Sequence, residues 1–359
     1  MKKLYCFLIL MLFGCFNNVF VNGQTIQPIE RTVGKLQIAI DPRMELLTVV
    51  QLLSNYPIIK RDVPYSKDVV NYFESFSSHE AVIMTDSLFY KGFSYHIPPT
   101  FMLHLSQPPE LEQKITFTDD LKKRSGGGDN LKQFQKSIKQ FTSISNFETF
   151  WNSKISLYNQ ILDLTIADLG EMDIVKILED YFNETYNGYN VTISPSFGGG
   201  YGPSITDADG NTIIYGCLST TDVKDDIPYL RGWRLGGFVW HEFGHSFVNP
   251  LTDKHSDKVA SLDKLFEPIK EDMTKSAYGA WSSCVNEHVV RAVVVRLCEL
   301  HVHSQLSKAI LEDELRQHFI YIEPLIEKLK DFENQRNKSN ITFTEYYPEL
   351  LNALDNLQP

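Results

Sequence analysis

Apolar residues recur along this chain with two different periods. Lys35-Leu36-Gln37-Ile38-Ala39-Ile40 places them at every second position, the pattern of a half-buried strand. From Pro42 to Leu53 the spacing becomes helical, with proline suited to the first helical position. Val69 to Phe76, Leu131 to Phe141, Phe147 to Leu164 and Asp173 to Phe182 continue in helical spacing, and Leu178 and Phe182 share a face. Strand-like runs return at Val191-Thr192-Ile193 and Thr212 to Leu218, the second after the turn-forming Asp207-Ala208-Asp209-Gly210-Asn211. Helical spacing then resumes in Leu235 to Val248, Lys258 to Met273, Trp281 to Leu300, Leu306 to Lys330 and Pro348 to Leu357. Asn249-Pro250 predicts the end of the first of these, and Pro268 and Pro324 predict a kink or split in two others. The pattern implies a mainly helical α+β chain with a small sheet just ahead of one long helix. A division near residue 190 separates a mainly helical region, 24–190, from a second region, 191–359.

That long helix carries His241-Glu242-Phe243-Gly244-His245. Residues four apart lie on one helical face, so both imidazoles can reach a single Zn²⁺. Glu242 is rotated by one residue and sits beside the open position of such an ion, where a carboxylate can act as general base. The alternative is an amphipathic helix with two core histidines. Gly244 costs helix propensity but leaves room for close backbone approach.

A catalytic zinc needs a third protein ligand and an open position. Trp281 to Ala292, extended by Val293, Val294, Val295, Leu297 and Cys298, reads as a long buried helix. A carboxylate inside it is costly unless it is paired or binds metal, which singles out Glu287. His288 points about 100° away from Glu287 on a helix, so the two are not expected on one ion. The competing reading pairs Glu287 with Arg291 at i+4. His301 and His303, beyond the apolar stretch, suit the surface.

With Asn286-Glu287 on a second helix, His241, Glu242 and His245 resemble the gluzincin branch of zincin metallopeptidases. That resemblance implies a zincin-like core, with zinc held by His241, His245 and Glu287 and with Glu242 as the catalytic base. The longer strings His-Glu-Phe-Gly-His-Ser-Phe and Asn-Glu-His-Val-Val-Arg-Ala are also similar to a poorly characterised family of secreted bacterial proteins. That second likeness covers roughly the second half of the chain, with a weaker similarity at Ile40-Asp41-Pro42-Arg43. Many gluzincins carry an aspartate four residues after the third ligand to orient a histidine; Arg291 stands there, so the supporting shell must differ. The metzincin pattern fails, because Val248 and Leu251 occupy its glycine and third-histidine positions.

In gluzincins a peptide commonly adds to an edge strand ahead of the motif helix, a role that suits Thr212 to Leu218. Tyr278, Tyr321 and His255 are candidates for the donor that stabilises a tetrahedral oxyanion. The tract Phe197-Gly198-Gly199-Gly200-Tyr201-Gly202-Pro203 lacks the Gly-Lys-Ser/Thr of a phosphate loop and reads as a flexible loop beside the cleft. Ser125 to Asn130 reads as a surface loop or short linker.

Composition changes the picture mainly at the amino terminus. Met1-Lys2-Lys3 followed by Leu4 to Phe13 has the form of a secretory signal, with a cut expected at Gln24. Leu12-Phe13-Gly14-Cys15 offers a second reading, a lipid anchor on Cys15, and no other stretch is long enough to span a membrane. The formal charge is −11, two units more negative without Lys2 and Lys3, which argues against nucleic acid as partner. Cys217, Cys284 and Cys298 remain in the mature chain, an odd number with no Cys-x-x-Cys pair, so no disulfide framework is implied. The resulting expectation is a secreted or cell-envelope zinc metallopeptidase acting on a peptide or protein. Its rivals are a non-catalytic envelope binding or scaffold protein with a zincin fold, and a zinc amidase acting on a cell-wall amide.

Overall fold

The computed structural model describes residues 24–355 and Leu357; the expected signal segment and Cys15 lie outside the described residues. The chain opens with a hairpin, β1 (Ile29–Val33) and β2 (Leu36–Ile40), turned at Gly34, whose φ of 59° favours glycine. Leu36, Ile38 and Ile40 are buried, as the alternation requires. Helices follow: α1 (Pro42–Leu53), α2 (Pro64–Phe73), α3 (Glu80–Phe89), α4 (Ile97–Leu103), α5 (Asp119–Arg124), α6 (Gly128–Ile144), α7 (Phe147–Leu169) and α8 (Ile174–Phe182). Strands β3 (Gly188–Ser194), β4 (Ser204–Thr206) and β5 (Thr212–Ser219) complete a mixed five-stranded sheet of order β1-β2-β3-β5-β4. A small hairpin, β6 (Asp222–Lys224) and β7 (Ile227–Tyr229), leads into the long helix α9 (Gly232–Lys254).

β2 and β3 pair in parallel, Ile38 opposite Val191, and β3 pairs in parallel with β5, Val191 opposite Gly216. Parallel neighbours need a crossover connection. Here that connection is the whole helical first half, from α1 to α8. The division expected near residue 190 therefore falls inside β3, and both regions contribute to one sheet and one continuous apolar core.

α9 does not stop at Asn249-Pro250 but runs through Pro250 to Lys254. Proline removes one backbone N–H, which strands the carbonyl four residues earlier. The Tyr186 hydroxyl donates to that carbonyl, on Ser246, at 2.6 Å, so the helix continues with the acceptor satisfied. Its first residue, Gly232, lies against the end of α7: a Cβ there would sit 2.0 Å from the Asp168 carbonyl oxygen.

After α9 come α10 (Ser256–Ser261), α11 (Lys270–Lys275), α12 (Trp281–His301), α13 (Ser304–Arg316), α14 (Ile322–Ser339) and α15 (Phe343–Asn352). The single helix expected over Lys258–Met273 is broken into short turns around Pro268. The one expected over Leu306–Lys330 is split, with Pro324 in the first turn of α14. The last helix starts earlier than proline placement suggests, because Thr342 and Glu345 form a capping box. Strands β1, β4, β6 and β7 and helices α3, α4 and α5 are too short or too irregular in pattern to have been predicted. Cys217, Cys284 and Cys298 are buried free thiols. Among the described residues no helix is long and apolar enough to cross a membrane.

Candidate metal centre

α9 and α12 pack against each other where Gly244 meets Val290: a Cβ on Gly244 would lie 3.2 Å from Val290 Cγ1. This close approach brings Glu287 of α12 to the two histidines of α9. His241 Nε2 and His245 Nε2 are 3.3 Å apart, and Glu287 Oε1 lies 3.2 Å from His245 Nε2. Glu287 Oε2 lies 3.6 Å from His241 Nε2. Two ligand atoms each about 2.0–2.1 Å from one tetrahedral ion stand about 3.3 Å apart. The three residues thus have the chemistry and the spacing to hold a metal ion.

The protonation of the three is set by burial and by one another. Burial pushes His241 down to about 3, leaving its imidazole neutral with a lone pair free. His245 is shifted upward: burial opposes its charge, but the Glu287 carboxylate outweighs it. The other ring nitrogen of His245, Nδ1, faces Asn249 Oδ1 at 3.2 Å, which assigns the proton to Nδ1 and turns Nε2 toward the cluster. Burial raises the Glu287 carboxyl, yet His241, His245 and Arg291 together hold it well below the usual carboxylate range.

Of the two sequence readings of Glu287, the pairing with Arg291 is present, and it leaves the carboxylate close to both histidines. Arg291 Nε donates to Glu287 Oε2 at 3.0 Å, leaving the carboxylate facing the histidines as well. Arg291 also pairs with Glu314, approaches the Tyr278 hydroxyl at 3.5 Å and lies 4.0 Å over the Phe319 ring. Where the resemblance expects an aspartate that orients a histidine, this chain has an arginine that orients the carboxylate, and Asn249 supports His245 instead.

Glu242 is buried, and burial pushes its carboxyl up to about 7. The glycine tract stands directly against it. A Cβ on Gly200 would lie 2.5 Å from Glu242 Oε1, and one on Gly202 would meet the Glu242 carbonyl oxygen, so only glycine lets this backbone pass. The tract is not a loose loop. Tyr201 exchanges backbone hydrogen bonds of 3.0 and 2.8 Å with Cys217, and Tyr215 N donates to the Pro203 carbonyl at 2.8 Å. Gly198 is pressed on the backbone of Ile58, where Ile59 bridges to Phe197. Consequently Thr212–Leu218 is not a free edge strand: Tyr201–Thr206 covers its outer side, since those backbone groups are already paired.

The remaining candidates separate by position. Tyr278 lines the cleft with Gly200, His241, Glu242 and Glu287. Tyr321 is buried and donates to the Leu265 carbonyl at 2.7 Å, and His255 stacks on Tyr347 at the far end of α9, so neither faces the cluster. His288 is buried against Phe319 and Tyr321 with Nδ1 2.7 Å from the Cys284 carbonyl. His301 is exposed, and His303 caps α13 by accepting from Leu306 N at 3.0 Å.

The cleft is a cavity of about 480 Å³ whose other wall comes from the first half of the chain: Tyr95, His96 and Arg124. Sequence reasoning missed these residues, as it missed Asn249. Only Asn249 left a usable trace, one helical turn beyond His245. A second cavity of about 630 Å³ adjoins the first, sharing Gly200, His241, Glu242 and Tyr278 with it.

Over residues 36–353 the chain matches the model of the family described as Domain of unknown function (DUF4932), and it belongs to that family. No curated protein matches it, and no solved structure does.

Proposed function

We propose that this DUF4932 protein is a secreted or cell-envelope zinc metallopeptidase of gluzincin type, with a zincin-like core around α9 and α12. The observation that carries the reading is the convergence of His241, His245 and Glu287 at ion-ligand separations, with the Glu242 carboxylate at the same cleft. Zinc bound by these three residues would supply Lewis acidity, polarising the scissile carbonyl and lowering the pKa of water.

The chain's own residues supply the rest. Glu242, with a carboxyl near the middle of the pH scale, takes a proton from the attacking water and returns it to the departing nitrogen. Asn249 and Arg291 hold His245 and Glu287 in their ligating orientations. Tyr278, whose hydroxyl is kept protonated by burial, is the donor available to a developing oxyanion. The Gly200–Gly202 backbone packs against Glu242 and fixes its place at the cleft.

The test is metal content and turnover of the purified protein. Elemental analysis should find about one zinc per chain, lost in Glu287→Ala because a catalytic site has only three protein ligands. Glu242→Gln should keep the zinc and lose hydrolysis of a synthetic peptide library. A folded protein that takes up no zinc, or a Glu242→Gln variant that still turns over, would overturn the reading. Zinc binding without hydrolysis of any library member would leave a scaffold or an amidase on a non-peptide bond.

A further inference from the structure

The wall opposite the metal cluster contains a guanidinium that the proposed chemistry does not use. Arg124, at the end of α5, donates from Nε to the Gly92 carbonyl at 3.1 Å and from Nη2 to the Ser94 hydroxyl at 3.5 Å. Both acceptors are neutral, and Arg124 makes no ion pair among the described residues. Five N–H donors sit on a guanidinium, so most of its capacity is uncommitted. Of the other arginines near the cluster, Arg291 is by contrast bound to Glu287 and Glu314, while Arg234 and Arg316, in the second cavity, face Asp222 and Asp313.

Arg124 does not stand alone. The loop it braces presents Tyr95 and His96 to the same cavity, and Tyr95 is held in the left-handed region at φ 55°. A non-glycine residue in that region is strained, and such strain is concentrated at functional sites. His96 is kept neutral, pushed down to about 4 by burial and by the Arg124 charge, so it offers an N–H without a second positive charge. The nearby Asp120 is exposed and acts on His96 only through its charge. The acids of the cavity, Glu242 and Glu287, belong to the metal wall. Asn286, on α12 beside Glu287, lines the cavity with its Oδ1 buried and without a partner among the described residues. The second cavity, which shares His241 and Glu242, has a mixed lining, with Trp233, Phe238 and Ile310 beside Arg234, Glu314 and Arg316.

We infer that Arg124, with His96 beside it, is the carboxylate-binding side of this cleft, and that the substrate is a peptide with a free carboxylate next to the bond that is cut. The inference rests on the metallopeptidase reading for the cut itself but not for the recognition. The carboxylate comes either from the peptide's C-terminus or from an Asp or Glu side chain; the cavity chemistry is the same for both.

Four probes separate these sources: acetyl-Phe-Ala-Ala-Glu and acetyl-Phe-Ala-Ala-Gln, each as free acid and as carboxamide. Their binding to the zinc-loaded Glu242→Gln protein is measured by calorimetry, with and without Arg124→Gln. A charge-assisted contact should favour carboxylate over amide by about 10- to 100-fold, and Arg124→Gln should erase that ratio while leaving the uncharged Gln-carboxamide probe unaffected. Arg124→Lys should restore part of it, because the charge returns without the planar fork. Discrimination at the terminus identifies a C-terminal carboxylate; discrimination at Glu over Gln identifies a side chain. Weakening of all four probes alike would mean that Arg124 only braces the Gly92–His96 loop, and the inference falls. Equal binding of acids and amides by the parent protein, or no binding at all, also overturns it. Arg124-dependent carboxylate binding by a protein that hydrolyses nothing would sink the peptidase reading and leave the recognition standing.

Discussion

Asn249 and Arg291 each act on a candidate ligand through one contact, and their roles differ. A neutral imidazole binds metal through one nitrogen while the other carries the proton, so an acceptor at Nδ1 selects which nitrogen is free. Asn249 Oδ1, 3.2 Å from His245 Nδ1, is that acceptor. Asn249→Ala should therefore weaken zinc binding by about 10- to 100-fold, the usual cost of removing an outer hydrogen-bond partner. Asn249→Asp, which accepts more strongly, should retain it. Competition with a zinc chelator measures both, and equal affinities in Ala and Asp variants would show that Asn249 does not orient the ring. Arg291 works on the other side, where burying Glu287 without a cation would leave a carboxylate uncompensated.

Among the elements, the segment from Gly198 to Thr206 is squeezed between α9, β5 and the Ile58 backbone, and its tolerance for change differs from one glycine to the next. A Cβ on Gly202 meets main-chain atoms of α9, which cannot rotate away, whereas one on Gly199 meets nothing nearer than the Tyr201 hydroxyl at 4.0 Å. Gly202→Ala should lower stability by about 1–3 kcal/mol or more, the cost of overpacking a tight contact. Gly199→Ala should stay within about 0.5 kcal/mol of the parent. Denaturant midpoints decide it: similar losses in both variants would mean that the segment yields more easily than its contacts imply. α9 shows the complementary case, where Tyr186 supplies the hydrogen bond that Pro250 cannot, and a proline that should end a helix is carried inside it.

At the scale of the molecule, the sheet joins the two halves. β3 has β2 on one side and β5 on the other, so a chain starting at residue 191 loses the Gly188, Tyr189 and Asn190 end of β3 and all of β2. It also loses α7, which packs on α9, and the wall carrying Arg124. A fragment of residues 191–359 should retain helical circular dichroism but melt without a cooperative transition. A sharp two-state melt of that fragment would show that the second region folds alone.

Periodicity is local, and what it implies survives folding. His241 and His245 share a face because 3.6 residues make a turn in any α-helix, and Pro42–Leu53 is a helix with the bounds that its spacing implies. Glu287 was legible for an energetic reason: a carboxylate in an apolar helix needs a partner, and the partners it has are both histidines and Arg291. The fate of Thr212–Leu218 was not legible, since nothing in an alternating strand says which neighbour will cover it. Nor was the wall of Tyr95, His96 and Arg124, whose residues carry no motif and reach the cleft only because of how the long helical crossover between β2 and β3 packs. Contacts within a few residues follow from backbone geometry, whereas those across more than a hundred depend on how whole elements pack.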